Sequence, residues 1–380
     1  MCWLKDRPTN GGDGGRSLYP HFHIIFDAGC IGGGEPIHSL AMCNVYRTNR
    51  YEGRGGKDMD GSEGREHIAH MQIDAVSRCL DAEAACGRGE ACIFTLTTAI
   101  RLLGVDWDPL TAVKPWWRLG AELLQVVVGD KNNKPRDRLA KQRPGTRQGR
   151  YPATFFTSGI PIETVEVADG VTCTTPEFTW FMFARFLDLE ELVILGDAMM
   201  RRYALHDQVT LESFEDLLCR IERYGSEHGM RAPKGIRNCR RALALMEEGT
   251  DSVRESILRL LLIRYGLPRP VVNYPLVLPD GTLVFLDIAF PDARVDVEYD
   301  GRFHQNQWAQ DAQRRLAIEL AGWAYVQVTD EALATKDACR QIAELVARYL
   351  KERTGNDYLR DEPFDLRAVA DGRRKGWKRR

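Results

Sequence analysis

The sequence has no run of about 18 apolar residues, the length a membrane-crossing helix needs, so it offers no transmembrane segment. Its first residues, MCWLKDRPTNGGDGG, lack the charged, apolar and small-residue succession of a signal peptide, and the expected location is the cytoplasm. There are ten cysteines but no CxxC pair. The closest group, Cys79, Cys86 and Cys92, has no spacing that suits zinc, so free thiols in a reducing compartment are expected. Neither sign of charge dominates: the net charge is -2 over 380 residues. A nucleic-acid partner would therefore have to be met by local basic patches. A fibrous or wholly disordered bias is also lacking, since 44% hydrophobic and 28% charged residues are ordinary for a soluble globular chain of two or three domains.

Along the chain, residues 1–65 are Gly-rich and read as a flexible N-terminal segment around one short strand, HIIFD. GCIGGG follows that strand without a Walker lysine or a following helix, and reads as a loop and not a phosphate cradle. His21 with His23, and His67 with His70, have metal-like spacing but no Cys or acidic companions, so solvated histidines are expected. Residues 66–230 read as a mixed α/β domain. IAHMQIDAVSRCLDAEAACG and TLTTAIRLLGVDW have helical spacing, ELLQVVVGD and IPIETVEVADGVTCTT are strand-like, and PEFTWFMFARFLDLEELVILGDAMMRR reads as paired helices from Pro176. Between the strands, residues 131–150 carry eight Lys or Arg against one Asp. Such a run is either a phosphate-contacting loop or an ordinary solvated connection. A helical connector, residues 231–250, leads to the last domain.

Residues 251–353 read as αβββαβα. Ser252 starts a helix that stops at Gly266 before Pro268. PVVNYPLVL, TLVFLDIAF and RVDVEYD are strands, QWAQDAQRRLAIELAG a helix, WAYVQVT a fourth strand, and EALATKDACRQIAELVARYLKERTG a closing helix. Three antiparallel strands plus a fourth reached by a helical crossover predict a mixed sheet with helices on both faces. Residues 354–380 form a basic tail ending in RRKGWKRR, either a solubilising tail or a phosphate clamp with Trp377 as a stacking ring.

The stretch LVFLDIAFPDARVDVEYDGRFH places a carboxylate, Asp287, in an apolar strand. With Asp292 and Ala293 as a two-residue turn, Phe290 faces Val295, Ile288 faces Val297 and Leu286 faces Tyr299, all apolar. The other face opposes Ala289 to Asp296, Asp287 to Glu298 and Phe285 to Asp300. A one-residue slip would set apolar against charged side chains throughout, so the pattern selects this register or one shifted by two. Two opposed carboxylates in a half-buried sheet repel unless a cation lies between them, and a hard divalent ion meets that need. Asp296, Glu298 and Asp300 alone would alternate in the same way on a solvated strand face. Glu255 completes a capping box with Ser252 or reaches the acidic pair. Tyr299 reads as a core residue, and His304 as a loop histidine or a group near the metal that handles a proton or phosphate. Arg314 forms a local ion pair with Asp311 one turn away, or it contacts phosphate together with Arg315.

Glu255, Asp287 in LDIAF, Glu298-Tyr299-Asp300-Gly301-x-x-His304, Asp311-x-x-Arg314 and Gly322-Trp323 together resemble the endonuclease-domain proteins of the PD-(D/E)xK superfamily related to the very short patch repair endonuclease. The resemblance covers residues 251 to about 335. Residues 92–202 resemble the central region of actinobacterial AbiEi-like antitoxin proteins, in which such a nuclease domain often follows; their N-terminal winged helix is not recognisable here. The resemblance implies a restriction-endonuclease-like fold and a metal-dependent endonuclease acting on DNA in repair, phage defence or a toxin-antitoxin context, with a partner protein not identified. It implies that Asp287 and Glu298 hold Mg²⁺ or Mn²⁺ with Glu255 as an outer ligand, that Asp300 and His304 belong to the catalytic set, and that Arg302, Arg314 and Arg315 contact DNA. The superfamily's motif lysine would stand two residues after the glutamate, where this chain has Asp300; His304, Arg302 or Arg314 would supply the cation instead. The rival classes are an antitoxin-type DNA-binding regulator on an inactive nuclease fold, and a protein-interaction module.

Overall fold

The computed structural model describes residues 60–86, 92–107, 123–129, 153–201, 209–300 and 308–373. The HIIFD strand, the GCIGGG loop, His21, His23, the 131–150 loop and residues 374–380 lie outside them. The described residues are mixed α/β and form two mixed sheets with helices.

The first sheet is built from short strands: β1 (Ile93–Phe94), β2 (Leu124–Val128), β3 (Ala153–Thr157), β4 (Thr164–Ala168) and β5 (Val171–Thr174). Their order is β3-β2-β1-β5-β4, with β1/β2 and β4/β5 antiparallel and β1/β5 and β2/β3 parallel. β2, LQVVV, is a nearly continuous buried apolar run, as expected of an interior strand. The sequence reading did not distinguish β1, which is two residues long, or β3. Helices α1 (Asp60–Cys86) and α2 (Leu96–Leu102) pack with this sheet, and His67 and His70 are exposed on α1.

The paired helices begin where the sequence places them. α3 (Pro176–Phe183) has Pro176 in its first turn, and the Thr175 side chain accepts the Phe178 N–H; Phe178, Trp180, Phe181, Met182 and Phe183 are all buried. α4 (Leu189–Met199) starts with a capping box between Asp188 and Glu191. α5 (Leu211–Glu227) presents Phe214, Leu217, Leu218 and Ile221 to the core on one face. α6 (Ile236–Leu243) follows, and then Leu245 and Met246 are wholly buried in the same core.

Residues 251–354 realise the αβββαβα order, with one extra helical turn. The elements are α7 (Val253–Arg264), β6 (Val271–Val277), β7 (Leu283–Phe290), β8 (Val295–Tyr299), α8 (Trp308–Leu320), β9 (Ala324–Val328), α9 (Asp330–Leu333) and α10 (Lys336–Thr354). The sheet order is β6-β7-β8-β9; the first two pairings are antiparallel and β8/β9 is parallel. α7 and α10 cover one face through Leu258, Leu262, Ile342, Val346 and Leu350 against Ile288, Phe290, Val295, Val297 and Val326. α8 covers the other through Ile318, against Leu286, Ala289 and Trp323.

The β7/β8 register is the one the alternation selects: Phe290 pairs with Val295, Ala289 with Asp296 and Ile288 with Val297. The turn differs from the expected two-residue loop. Pro291–Ala293 form a 3-10 turn and Arg294 takes a left-handed φ of 48°. Proline has no N–H, so Pro291 could not complete a backbone pair with Arg294. The apolar face also changes phase: Leu286 joins Ala289 under α8, whereas Ile288 and Phe290 lie under α7 and α10. The change falls at Asp287, and across β6 the paired positions skip Asn273, which has a φ of 47°.

α7 is a wall shared by both halves. Leu258 and Leu262 belong to the second sheet's core, Leu260 and Ile263 to the first. Between the halves, Arg259 and Asp197 pair at 2.6 Å with both side chains wholly buried. Arg259 also donates to the Leu245 carbonyl at 2.8 Å, and Asp197 accepts the Glu247 N–H at 2.8 Å. Burial pushes the Asp197 carboxyl above its ordinary range, with Arg259 and the hydrogen bonds pulling the other way. The chain after α10, read in the sequence as part of a basic tail, returns along α7: Arg360 and Phe364 donate their N–H groups to the Tyr265 and Arg264 carbonyls. α11 (Leu366–Ala370) then inserts Leu366, Val369 and Ala370 into the first core, and Arg241 grips Asp371 with two hydrogen bonds of 2.8 Å. The described residues therefore pack continuously across residue 250, and they fall in one compact unit.

Two outcomes follow for stability. Asp197→Ala and Arg259→Ala should each lower unfolding free energy by about 3–5 kcal/mol, because each strands a buried charge, and the double variant should cost much less than the two together. Urea unfolding of the four proteins measures this, and strict additivity would show that the pair is not coupled. Gly266 ends α7 at a φ of 101°, and a Cβ there would run into the Tyr358 carbonyl. Gly266→Ala should cost at least about 1–2 kcal/mol from the backbone alone and should raise proteolysis between residues 355 and 366. An unchanged digestion pattern would count against the returning segment being held there.

Candidate functional site

The site forms where β7 and β8 stop pairing regularly. Asp287 on β7 is 1% exposed, and Asp296 and Glu298 on β8 are 0% and 6% exposed. The ladder ends at Ile288 and Val297, and beyond it side chains enter the gap. The Asp287 N–H donates to Glu298 Oε1 at 3.4 Å, and Asp287 Oδ2 accepts the Tyr299 N–H at 3.2 Å. The two carboxylates that the sequence opposes are thus neighbours, held by one another's strands and not by a regular backbone pair.

A cation reaches them from α8. Arg314 Nη2 donates to Glu298 Oε1 at 2.9 Å and to the Phe285 carbonyl at 2.6 Å. Burial works against the charge of Arg314, but Glu298, Asp287 and Asp296 outweigh it and hold its pKa above the ordinary value. Tyr325, the β9 partner of Asp296, has its hydroxyl pushed well above its ordinary range, first by burial and then by the fields of Glu298 and Asp296. Among the described residues, three buried carboxylates, Asp287, Asp296 and Glu298, thus act on the one guanidinium of Arg314. Buried charge on that scale is expensive unless further paired, and such arrangements concentrate at functional sites.

The other predicted site residues are placed as follows. Glu255 is buried in the first turn of α7; its N–H donates to Ser252 Oγ at 3.1 Å, and its Oε2 accepts the Asp251 N–H at 2.9 Å. The return bond of the expected capping box thus goes to the residue before Ser252, one position earlier than read. Asp300 accepts from Gln327 Nε2 at 2.6 Å, which ties it sideways to β9. Arg315 pairs with Glu319 at 3.0 Å and lies over the Tyr325 ring at 5.1 Å. Arg314 turns inward, and among the described residues its hydrogen bonds go to Glu298 and Phe285 and not to Asp311. Tyr299, read as core, does pack on the second core, but burial and then a hydrogen bond to Asp330 push its hydroxyl pKa up to about 12. Arg302 and His304 lie outside the described residues. Asp296 was not singled out from the sequence, because its place in the D-x-E-x-D alternation is the same whether the face is solvated or buried.

For a divalent ion, the donor chemistry of Asp287 and Glu298 is suitable: Mg²⁺ takes hard oxygens, often only one or two carboxylates with water completing the shell. Among the described residues no group of three His, Cys, Asp or Glu converges as a ligand set. Any site here is therefore a two-carboxylate one within the described residues.

No helix among the described residues is long and apolar enough to cross a membrane. No protein-family model matches the chain, and no solved structure matches it. The chain is similar to uncharacterized proteins of two strains of Mycobacterium tuberculosis, CDC 1551 / Oshkosh and ATCC 25618 / H37Rv, at 28% identity over 184 residues in each case. The match covers 48% of this chain and 62% of those relatives' length.

Proposed function

We propose that residues 251–353 are a restriction-endonuclease-like domain that hydrolyses DNA phosphodiester bonds with the help of Mg²⁺ or Mn²⁺. The observation that carries this reading is the buried cluster of Asp287, Asp296 and Glu298 beside Arg314, on a mixed αβββαβα sheet. Grouping three carboxylates in the interior is costly to a fold, and such groupings are concentrated at functional sites.

Asp287 and Glu298 would hold the ion, which when bound polarises a phosphoryl oxygen and lowers the pKa of a water. The chain's own residues do the rest. Tyr299 N–H fixes Asp287 Oδ2, and Arg314 and the Asp287 N–H fix Glu298 Oε1, so both carboxylates are oriented before substrate arrives. Asp300 holds Gln327 at the rim of the site. The upstream half, residues 66–230, would supply an antitoxin-type context, and the basic 131–150 loop and C-terminal tail would add phosphate contacts outside the described residues.

One observation favours a second reading, a DNA-binding regulator on an inactive nuclease fold. Asp300 stands where the superfamily carries lysine, and Glu255 is committed to the start of α7.

Cleavage of supercoiled plasmid and of single-stranded DNA in Mg²⁺ or Mn²⁺, for wild type, Asp287→Asn and Glu298→Gln, decides between them. The nuclease reading expects cutting by wild type and a loss of at least about a hundredfold in each variant, with circular dichroism unchanged. Equal cutting by all three proteins would exclude this site. No cutting, with DNA binding identical in EDTA and in Mg²⁺, would select the regulator.

A further inference from the structure

The carboxylates have a cation from their own chain, and its geometry is specific. Arg314 lies four residues before Ile318, so both project from the face of α8 that packs on the sheet. Its Nη2 bridges a side chain, Glu298, and a backbone carbonyl, Phe285, on the two adjacent strands β8 and β7. Its Nη1 is buried without a hydrogen-bond partner among the described residues. A guanidinium with one nitrogen satisfied and the other not has a purchase that a competing cation can dislodge, because a charged donor left bare in the interior forfeits part of the pair's gain.

We propose that Arg314 is the resident counter-ion of the acidic site: it holds Glu298 in place and stabilises the three carboxylates before a divalent ion arrives, and the ion and the Arg314–Glu298 pair then oppose one another. This rests on the two-carboxylate reading of the preceding subsection. Arg314 is a positioning residue, acting through Glu298. The consequence is a reciprocal linkage. Each cation lowers the affinity of the site for the other by the same factor, since both draw on the same negative charge. Removing the guanidinium should weaken the ion-free protein and strengthen ion binding.

The test uses the full chain and the metal alone. Mn²⁺ binding by calorimetric titration, and melting temperature in EDTA and in Mg²⁺, are measured for wild type, Arg314→Met and Arg314→Lys. Arg314→Met should melt below wild type in EDTA, recover most of the deficit in Mg²⁺, and bind Mn²⁺ at least about tenfold tighter, the lower bound set by a unit charge a few ångströms away under water-like screening. Arg314→Lys keeps the charge and should follow wild type. A purely structural role would give the same melting deficit with and without Mg²⁺ and no gain in Mn²⁺ affinity; that result would overturn the proposal. The metal-site reading would survive it provided that Asp287→Asn abolishes Mn²⁺ binding. Binding untouched by both Asp287→Asn and Glu298→Gln would end both ideas. If Arg314→Met does not fold, wild type still answers: the Arg314 guanidinium NMR signal must move as Mg²⁺ saturates the protein, and a fixed signal would overturn the proposal.

Discussion

The meeting of Arg314 with Glu298, Asp287 and Asp296 is the interaction on which the second half of the molecule turns. Three acids at the centre of a sheet would keep two strands from closing over one another without a cation, because each carboxylate loses its water and gains two like-charged neighbours. The cation comes from α8, and α8 is brought there by apolar contact: Ile318 packs against Leu286, Ala289 and Trp323. The same helix therefore closes the hydrophobic face and supplies the charge. Its crossover connection is also what makes β9 parallel to β8, setting Tyr325 beside Asp296. Fold and site are in this sense one construction, since neither the sheet's far face nor its acids can be accommodated without α8.

Much of this was legible in the residues because period-two alternation leaves little freedom. Phe290, Ile288, Val295 and Val297 can share one face only in the observed register or one shifted by two residues, and in the observed one Ala289 meets Asp296. The order of elements was legible for similar reasons: helix spacing, Gly and Pro punctuation, and strand runs agree throughout residues 251–354. The turn was not, because the consequence of Pro291 lies in a missing N–H and a left-handed Arg294, not in hydropathy. Nor was the phase change at Asp287, which depends on how β6 accommodates Asn273 next door. Glu255 shows the limit of motif reading: the capping box was correct in kind, yet its return bond falls on Asp251.

The target of Arg314 was hidden for a different reason. Along the sequence its nearest acid is Asp311, one turn away, and local pairing is the natural expectation for a helix surface. Which face of α8 turns inward is decided by Ile318 and by the sheet it meets, a tertiary fact that no window of the helix contains. Asp296 was hidden by the reverse problem. Its own strand looks the same exposed or buried, and only the presence of α8 above it decides. Likewise the boundary near residue 250 looked like a connector, whereas Leu245, Met246 and the shared helix α7 join the two halves into one packed body.

A second buried arginine in the same chain provides an internal control. Arg259 and Asp197 are as deeply buried as any group in the protein, yet they meet one to one, with both Asp197 oxygens bonded, to Arg259 and to the Glu247 N–H. That pair joins α4 to α7. Around Arg314 three acids from two adjacent strands gather near one guanidinium, whose Nη2 bridges Glu298 and the Phe285 carbonyl. Burial is common to both sites; what differs is the crowding of like charges, because each of these carboxylates lies in the field of the other two. Crowding of that kind raises the cost of burying every acid in the group, and it is the arrangement found most often where a protein does chemistry.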